Sequence, residues 1–212
     1  MLALDAQTLE DSTASGAGTL MNKAIFIDRD GTLIQEGGYL RMLEDLRFTP
    51  RAAEALRTFH SLGYLNVVIT NQSAVARGLL SPKAVNKIHQ RLKLMARDED
   101  AVIDDVFYCP HFPGGRVAPY NVECDCRKPK PGMLFHAAEK HRIDLQQSIL
   151  IGDKISDLEL GKNAGVRTVL VLTGSGPQTK ESWQEPVESF QNLFEFSKHL
   201  REQQPDEAPN LL

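Results

Sequence analysis

Short apolar segments recur along the chain and alternate with segments of helical period. Five of them lack the strict apolar–polar alternation of a half-exposed strand and are predicted as buried strands: KAIFID (23–28), YLNVVIT (64–70), VIDDVFYC (102–109), SILIGD (148–153) and RTVLVLT (167–173). Strands that are apolar on both faces are typical of a parallel sheet with helices on each side. The pattern therefore predicts an α/β fold.

Amphipathic segments lie between the predicted strands. The helix predicted over 51–61 has an apolar face made of Ala52, Ala55, Leu56 and Phe59. Ser81-Pro82 predicts the start of a second helix, which runs to about Arg97, since Ser is a preferred N-cap and Pro a preferred first residue. Further helices are predicted from Pro131-Gly132, over 156–165, and from Pro186 to about Leu200. This order of elements predicts a Rossmann-like parallel sheet with helices on both faces.

The predicted elements fill one domain. The chain has 212 residues, of which 42% are apolar, a size and composition that suit a single globular unit. We predict that this domain spans 21–200, after a flexible N-terminal tail (1–20) and before a polar C-terminal tail (201–212). The segment between Thr32 and the helix at 51 is too short for another domain, so we expect no separate cap domain.

Charge and cysteine content narrow the class of protein. The net charge is −4 with no Lys/Arg block, which does not favour a nucleic-acid partner. No apolar run approaches the length of a membrane-spanning helix, and the N-terminus lacks the basic start of a signal peptide. Three cysteines are an odd, low count for a secreted disulfide scaffold. We therefore expect a cytoplasmic monomer with no membrane partner.

Polar residues follow several of the predicted strands directly. Asp28 and Asp30 follow the first strand, Thr70 ends the second, and Asp153 and Lys154 follow the fourth. Carboxyl ends of parallel strands meet at one edge of the sheet, where converging carboxylates repel each other unless a cation binds. An aspartate there is often only a helix N-cap, but an ordered set is hard to explain by caps alone. Hard oxygen ligands beside anion donors suit Mg²⁺ and phosphate chemistry.

All the cysteines lie in the stretch CPHFPGGRVAPYNVECDCRKPKPG (109–132). A disulfide would leave one thiol over, and a reducing compartment disfavours it. Buried inert thiols are a second interpretation, but these cysteines lie among Pro, Gly and Asp. The third is a closed Cys₃His zinc site, although one-residue spacing within each ligand pair is tighter than usual. We favour structural zinc bound by Cys109, His111, Cys124 and Cys126.

Four ordered motifs resemble those of the haloacid dehalogenase (HAD) superfamily of phosphatases. They are DRDGTL, TNQS, RKPKPG and GDKISD, and the resemblance runs from about residue 23 to 175. It implies a HAD-like core and an aspartyl-phosphate mechanism. By this resemblance Asp28 is the nucleophile, Asp30 is the general acid and base, and Thr70 and Lys128 stabilise the transferring phosphoryl group. The implied Mg²⁺ ligands are Asp28, Asp153 and the main-chain carbonyl of Asp30.

Within the superfamily, the cysteine stretch resembles two families, the heptose-bisphosphate phosphatases and the histidinol-phosphate phosphatases. The twelve residues between His111 and Cys124 resemble the longer loop of the heptose enzymes, as do QEGGYL and TNQSAVARG. Two positions depart from that pattern: Ala74 stands where Gly is more usual, and Glu36 where Asp often is. The departure at Glu36 bears on how a substrate hydroxyl would be held.

The sequence also suggests a set of candidate substrate-binding residues. They are Glu36, Gly37, Gly38, Tyr39, Asn71, Gln72, Ser73, Arg127 and Lys154. Arg127 directly follows Cys126, so a bound zinc would hold it where a bidentate contact could take a second phosphate. The alternative is that Arg127 only balances the thiolate charge. The stretch 37–39 could likewise be an ordinary turn.

Together with these features, the resemblance to the heptose enzymes implies a Mg²⁺-dependent phosphatase that removes the C7 phosphate of a small-molecule sugar bisphosphate, heptose 1,7-bisphosphate. Three alternatives stay open. One is a histidinol-phosphate phosphatase, which the longer loop disfavours. Another is a nucleic-acid 3′-phosphatase, which shares the first two motifs but not the acidic charge or the zinc loop. The last is a zinc-stabilised binding protein without activity, which the intact set of catalytic residues disfavours.

Overall fold

The structure is a computed structural model that describes residues 21–36 and 43–204. Within these residues the strands are β1 (Lys23–Ile27), β2 (Tyr64–Asn71), β3 (Asp105–Cys109), β4 (Ile149–Gly152), β5 (Arg167–Val171) and β6 (Glu188–Phe190). The helices are α1 (Ala52–Ser61), α2 (Pro82–Asp98), α3 (Gly132–His141), α4 (Ile155–Ala164), α5 (Gly176–Ser182) and α6 (Leu193–Gln203). The predicted α/β fold is confirmed, and the described residues contain no second domain.

All the strands of the sheet are parallel, in the order β3-β2-β1-β4-β5-β6. β1 pairs with β2 on one side and with β4 on the other, so the chain winds away from β1 in two directions. Such a reversal opens a crevice at the carboxyl ends of the central strands, where ligands bind in open α/β sheets. The topology therefore positions a site directly after β1, β2 and β4.

The two faces of the sheet are covered by separate apolar cores. In β1, Ile25 and Ile27 pack into the core shared with α1, α2 and α6, whereas Ala24 and Phe26 pack into the one shared with α3 and α4. Each of these side chains is fully buried. Because successive strand residues point to opposite faces, burial on both faces explains the absence of alternation in the sequence.

The C-terminal part differs from the sequence prediction. Residues 188–190 form the short edge strand β6, paired with β5, in place of the start of the last helix. The helix begins at Leu193 because the side chain of Asn192 accepts a hydrogen bond from the N–H of Glu195 as an N-cap. It continues to Gln203, past the predicted start of the polar tail at 201.

Two smaller differences concern β3 and α5. The third strand was predicted from 102 but begins at Asp105. The N–H of Asn66 in β2 donates to the Asp104 side chain (2.7 Å) rather than to a main-chain carbonyl of β3, so strand pairing starts one residue later. The short helix α5 was not predicted, since its sequence GPQTKES has no apolar face. None of the helices in the described ranges is long and apolar enough to cross a membrane.

Candidate active site and cysteine cluster

Residues from four segments meet at the carboxyl edge of the sheet. They surround a cavity of about 450 Å³, which is lined among others by Asp28, Asp30, Thr70, Lys128 and Lys154. Asp28 follows β1, Thr70 lies near the end of β2, and Lys154 follows β4. Lys128 reaches the same place from the loop between β3 and α3. The structure thus brings together the residues whose convergence the strand ends predict.

Lys128 lies between two buried carboxylates. Its Nζ donates to Asp28 Oδ1 (2.6 Å), to Asp157 Oδ1 (2.6 Å) and to the carbonyl of Ile69 (3.2 Å). Burial alone would lower the pKa of Lys128, but the charges of Asp157 and Asp28 outweigh it and raise that pKa above its ordinary value. Lys128 is therefore a cation whose position is determined by three acceptors.

Asp28 is ionised in this environment. Burial alone would raise its pKa, but Lys128 and Lys154 outweigh that cost and hold the pKa of Asp28 below its ordinary value. The side chain is almost fully buried, yet it lines the cavity. A desolvated carboxylate that faces a cavity has the charge and the access that a nucleophile needs.

The Asp153 carboxylate, which lies near Asp28, accepts hydrogen bonds at both of its oxygens. Oδ1 accepts from the Thr32 hydroxyl (2.9 Å), and Oδ2 accepts from the N–H of Ser175 (2.8 Å). Burial and the nearby charge of Asp28 raise the pKa of Asp153 to about 7. Ligand oxygens of Asp28, Asp153 and Asp157 lie within 4.8 Å of one another. This buried group of acids fits a divalent cation, because a cation offsets the repulsion that raises the pKa.

Lys154 lies against the same oxygens. Its Nζ donates to the main-chain carbonyl of Asp30 (2.6 Å) and lies 3.7 Å from Asp28 Oδ2 and 3.7 Å from Asp153 Oδ2. It is also 3.5 Å from Glu36 Oε1 at the mouth of the cavity. The ammonium therefore interacts with the three groups predicted to bind Mg²⁺, and Lys154 also lines the cavity.

The carboxylate of Asp30 is held by Arg29 and Gln72. Arg29 donates from Nε (3.0 Å) and Nη2 (2.9 Å) to Oδ1, and from Nη2 (2.9 Å) to Oδ2. Gln72 Nε2 donates to Oδ2 (2.9 Å) and also to the Thr70 hydroxyl (2.8 Å). Gln72, predicted to bind substrate, thus orients two catalytic candidates.

Asn71 fixes the segment that carries Lys128. Its Nδ2 donates to the Lys128 carbonyl (3.1 Å), and its Oδ1 accepts from the Lys128 N–H (3.1 Å). The Asn71 side chain therefore bonds the protein backbone, and Asn71 also lines the cavity. Ser73 and Arg127 also line the cavity.

The cysteines and His111 form a compact cluster beside the cavity. The Sγ–Sγ distances are 3.1 Å (Cys109–Cys126), 3.3 Å (Cys124–Cys126) and 3.5 Å (Cys109–Cys124). His111 Nδ1 lies 3.3 Å from Cys126 Sγ and 3.7 Å from Cys109 Sγ. These edges are near the roughly 3.8 Å expected for a tetrahedron with Zn–S bonds of about 2.3 Å. They are longer than an S–S bond of about 2.05 Å, and all three cysteines are free.

The protonation of the sulfur atoms in the cluster also suits a bound metal. The contacts with the Cys109 thiol and with His111 lower the pKa of Cys126 to about 5. Thiolates and imidazole in a closed set are the ligands of structural zinc. Arg127 is tied to this cluster, since its Nη1 donates to the His111 carbonyl (3.1 Å) and its guanidinium lies 5.2 Å from the Phe112 ring centre.

Comparisons with known proteins agree with the fold. A curated relative from Haemophilus influenzae, D-glycero-beta-D-manno-heptose-1,7-bisphosphate 7-phosphatase, is 43% identical over 162 residues, covering 76% of this chain and 87% of the relative. The D-glycero-alpha-D-manno-heptose-1,7-bisphosphate 7-phosphatase of Photorhabdus laumondii is 40% identical over 177 residues, covering 83% and 95%. The chain belongs to the heptose-bisphosphate phosphatase family of HAD-like hydrolases. A family model described as HAD-hydrolase-like matches residues 125–195 of this family member.

Solved structures of the family have the same architecture. The D,D-heptose 1,7-bisphosphate phosphatase of B. bronchiseptica, complexed with magnesium and phosphate, superposes with a TM-score of 0.77 at 29% identity. That match covers 86% of this chain and 99% of the solved one. The enzyme from Burkholderia thailandensis gives a TM-score of 0.63 at 26% identity, covering 84% and 98%.

Several residues of this HAD-like hydrolase were not singled out from its sequence. Thr32 and Ser175 hold the Asp153 carboxylate, and Arg29 holds Asp30. A side chain at Gly174 would place its Cβ 2.4 Å from Asp153 Oδ2, so the backbone there passes directly over the site. The TGSG stretch after the fifth strand was the available signal. The predicted residues Gly37, Gly38 and Tyr39 lie outside the described residues.

Proposed function

We propose that the protein is a Mg²⁺-dependent phosphatase that removes the C7 phosphate of D-glycero-D-manno-heptose 1,7-bisphosphate, leaving the 1-phosphate. The observation that carries this proposal is the ionised Asp28, paired with Lys128 at the base of an open cavity. The names of the relatives supply the substrate. We further propose that it acts as a cytoplasmic monomer on this small sugar bisphosphate.

Asp28 and Asp30 divide the reaction into two steps. In the first, an Asp28 carboxylate oxygen attacks phosphorus, the bond from phosphorus to the C7 oxygen breaks, and Asp30 gives its proton to the leaving alkoxide. In the second, Asp30 takes a proton from water, and the water oxygen attacks the acyl phosphate. Inorganic phosphate leaves, and the Asp28 carboxylate is restored. Lys128 and the Thr70 hydroxyl stabilise the charge on the transferring group.

Asp28, Asp153 and the main-chain carbonyl of Asp30 would hold the Mg²⁺. Bound there, the ion would offset the repulsion between the carboxylate and the phosphate. Lys154 currently interacts with all three groups, so its ammonium would be released toward the cavity when they bind a cation. A released Lys154, lining the same cavity as Arg127, would supply positive charge for a second phosphate group.

Cys109, His111, Cys124 and Cys126 would hold a structural zinc. The cluster has no open ligand position for chemistry, so its role would be to order the irregular loop that precedes Lys128. The bonds from Arg127 to the His111 carbonyl and from Asn71 to the Lys128 backbone support that role. Arg127 would then be presented to the substrate by the zinc loop.

Phosphate release from a substrate panel tests the proposal. The panel contains both anomers of heptose 1,7-bisphosphate, fructose 1,6-bisphosphate, histidinol phosphate and a nicked duplex with a 3′-phosphate, each with Mg²⁺. We expect the highest kcat/KM on a heptose bisphosphate, with one equivalent of phosphate released. Faster turnover of histidinol phosphate, of fructose bisphosphate or of the DNA end would overturn the proposed substrate.

A further inference from the structure

Arg29 lies within the first motif and is almost completely buried. Its side chain is 3% exposed, and Nε and Nη2 are committed to the Asp30 carboxylate. Within the described residues, Nη1 is bonded to one side chain, His89 Nε2, at 3.1 Å. A guanidinium is planar and rigid, so the acceptor that holds Nη1 also determines where the two nitrogens facing Asp30 lie.

The protonation state of His89 follows from this contact. Arginine has only donors, so Nε2 of His89 must be the acceptor and the ring must be neutral, with its proton on Nδ1. His89 is 7% exposed, and burial together with the charges of Arg29 and Lys93 lowers its pKa to about 3. The ring also packs edge-on against Tyr108 at 5.3 Å between centres. His89 is thus a fixed, neutral acceptor.

These contacts join α2 to the general acid and base. His89 lies in α2, whereas Arg29 and Asp30 follow β1. We propose that His89 is a positioning residue for the proton transfers of Asp30: it fixes the Arg29 guanidinium, which in turn orients the Asp30 carboxylate toward the leaving oxygen. This inference rests on the proposed phosphatase activity and adds a residue that touches neither substrate nor metal.

A positioning role predicts a dependence on the leaving group. An alkoxide needs a proton as its bond to phosphorus breaks, whereas p-nitrophenolate leaves readily without one. The constant kcat/KM reports steps up to the cleavage of that bond, so misorientation of Asp30 should lower it for an alkyl phosphate and spare it for an aryl phosphate. A general loss of structure would lower both.

The test compares His89→Met with His89→Gln. Both replacements are unbranched and similar in length, but only Gln offers a strong acceptor to Arg29. We expect His89→Met to lower kcat/KM for heptose bisphosphate by about 10-fold or more, as expected for partial loss of general acid catalysis, and for p-nitrophenyl phosphate by less than about 2-fold. His89→Gln should stay close to wild type on both. Leu92→Val, in the same buried face of α2, controls for destabilisation.

Three results would overturn the inference: no loss with His89→Met, an equal loss on both substrates, or an equal defect in His89→Gln. A failure of the proposed substrate can be distinguished from a failure of the proposed role of His89. A wild type that cleaves p-nitrophenyl phosphate but not heptose bisphosphate refutes that substrate, and the comparison is then made with the alkyl phosphate it cleaves fastest. A wild type that cleaves neither aryl nor alkyl phosphates overturns both proposals.

Discussion

At the scale of single residues, the site is a set of buried charges that compensate each other. A lone ionised carboxylate in this position would be strongly unfavourable, and Lys128 makes ionised Asp28 stable because it bonds both Asp28 and Asp157. Burial and the charge of Asp28 raise the pKa of Asp153, and Lys154, at 3.7 Å, is farther from Asp153 than Lys128 is from Asp28. The ionisation of the proposed nucleophile Asp28 thus differs from that of Asp153 because of where Lys128 lies.

Replacing Asp28 by asparagine (Asp28→Asn) tests the nucleophile. The amide side chain would have nearly the same shape but could not form the acyl phosphate, so we expect kcat to fall by on the order of 10³-fold or more. Asp157 still pairs with Lys128, so the variant should fold, which circular dichroism checks. Glu159→Gln, an exposed acid on α4, is the control. A variant that keeps more than about a tenth of the wild-type kcat would refute the role of Asp28.

The raised pKa of Asp153 predicts how pH changes the effect of Mg²⁺. An unfolded aspartate titrates near 3.8 and the folded one at about 7, so the folded protein holds more protons between these values. The stability that this group contributes to the metal-free protein is therefore fully present below about pH 4 and lost as pH rises toward 7. Mg²⁺ needs the deprotonated form, so its binding strengthens over the same window.

Differential scanning fluorimetry measures this effect. We expect saturating Mg²⁺ to raise Tm more at about pH 8 than at about pH 5. Asp153→Asn, which cannot titrate, should remove most of the difference. Equal shifts at both pH values in the wild type would contradict the assignment of Asp153 as a metal ligand.

The residue types at the strand ends predicted which side chains converge, but not which groups each side chain would hydrogen-bond. Parallel strands end at one edge, so the meeting of Asp28, Thr70 and Asp153 followed from the order of elements. The sequence did not show that the Asn71 side chain bonds backbone, because that depends on where the distant Lys128 loop returns. Arg29 and His89 are 60 positions apart, and no local pattern links them.

At the scale of elements, the cysteine loop is the part of the site without regular structure. It leaves the edge strand β3 at Cys109 and reaches α3 after Lys128. The other segments of the site are positioned by the strands that they follow. In the predicted zinc site, ligation by three thiolates and one imidazole would position this loop instead. The spacing of its ligands was visible in the sequence because all four are close along the chain.

Cys124→Ser tests the role of this loop. We expect the variant to lose zinc and to lower kcat/KM by about 10–100-fold, because Arg127 and Lys128 would no longer be held. Elemental analysis and the phosphate assay check both effects, and Glu123→Gln, an exposed neighbour, is the control. Unchanged activity in a variant that contains no zinc would refute this role.

At the scale of the whole molecule, the described ranges hold both apolar cores and the residues that line the cavity. Removing 1–20 and 205–212 should therefore leave activity unchanged and shift Tm by less than about 2 °C, equivalent to under about 1 kcal/mol. A shorter protein ending at 198 is the control. It loses Leu200, which is buried, and the contacts of Arg201 with Thr58 and Ser61, so its Tm should fall. A large fall in the Tm of the variant that lacks only 1–20 and 205–212 would show that a removed segment contributes to the fold.

The central claim is that the protein removes the C7 phosphate of a heptose bisphosphate, and ³¹P NMR of the reaction tests it most directly. The two phosphorus signals of the substrate are distinct, because one belongs to an anomeric phosphate and the other to a primary one. We predict that the C7 signal disappears with Mg²⁺ present, that one equivalent of inorganic phosphate appears, and that the C1 signal persists. Loss of the C1 signal first, or equal loss of both, would contradict the account.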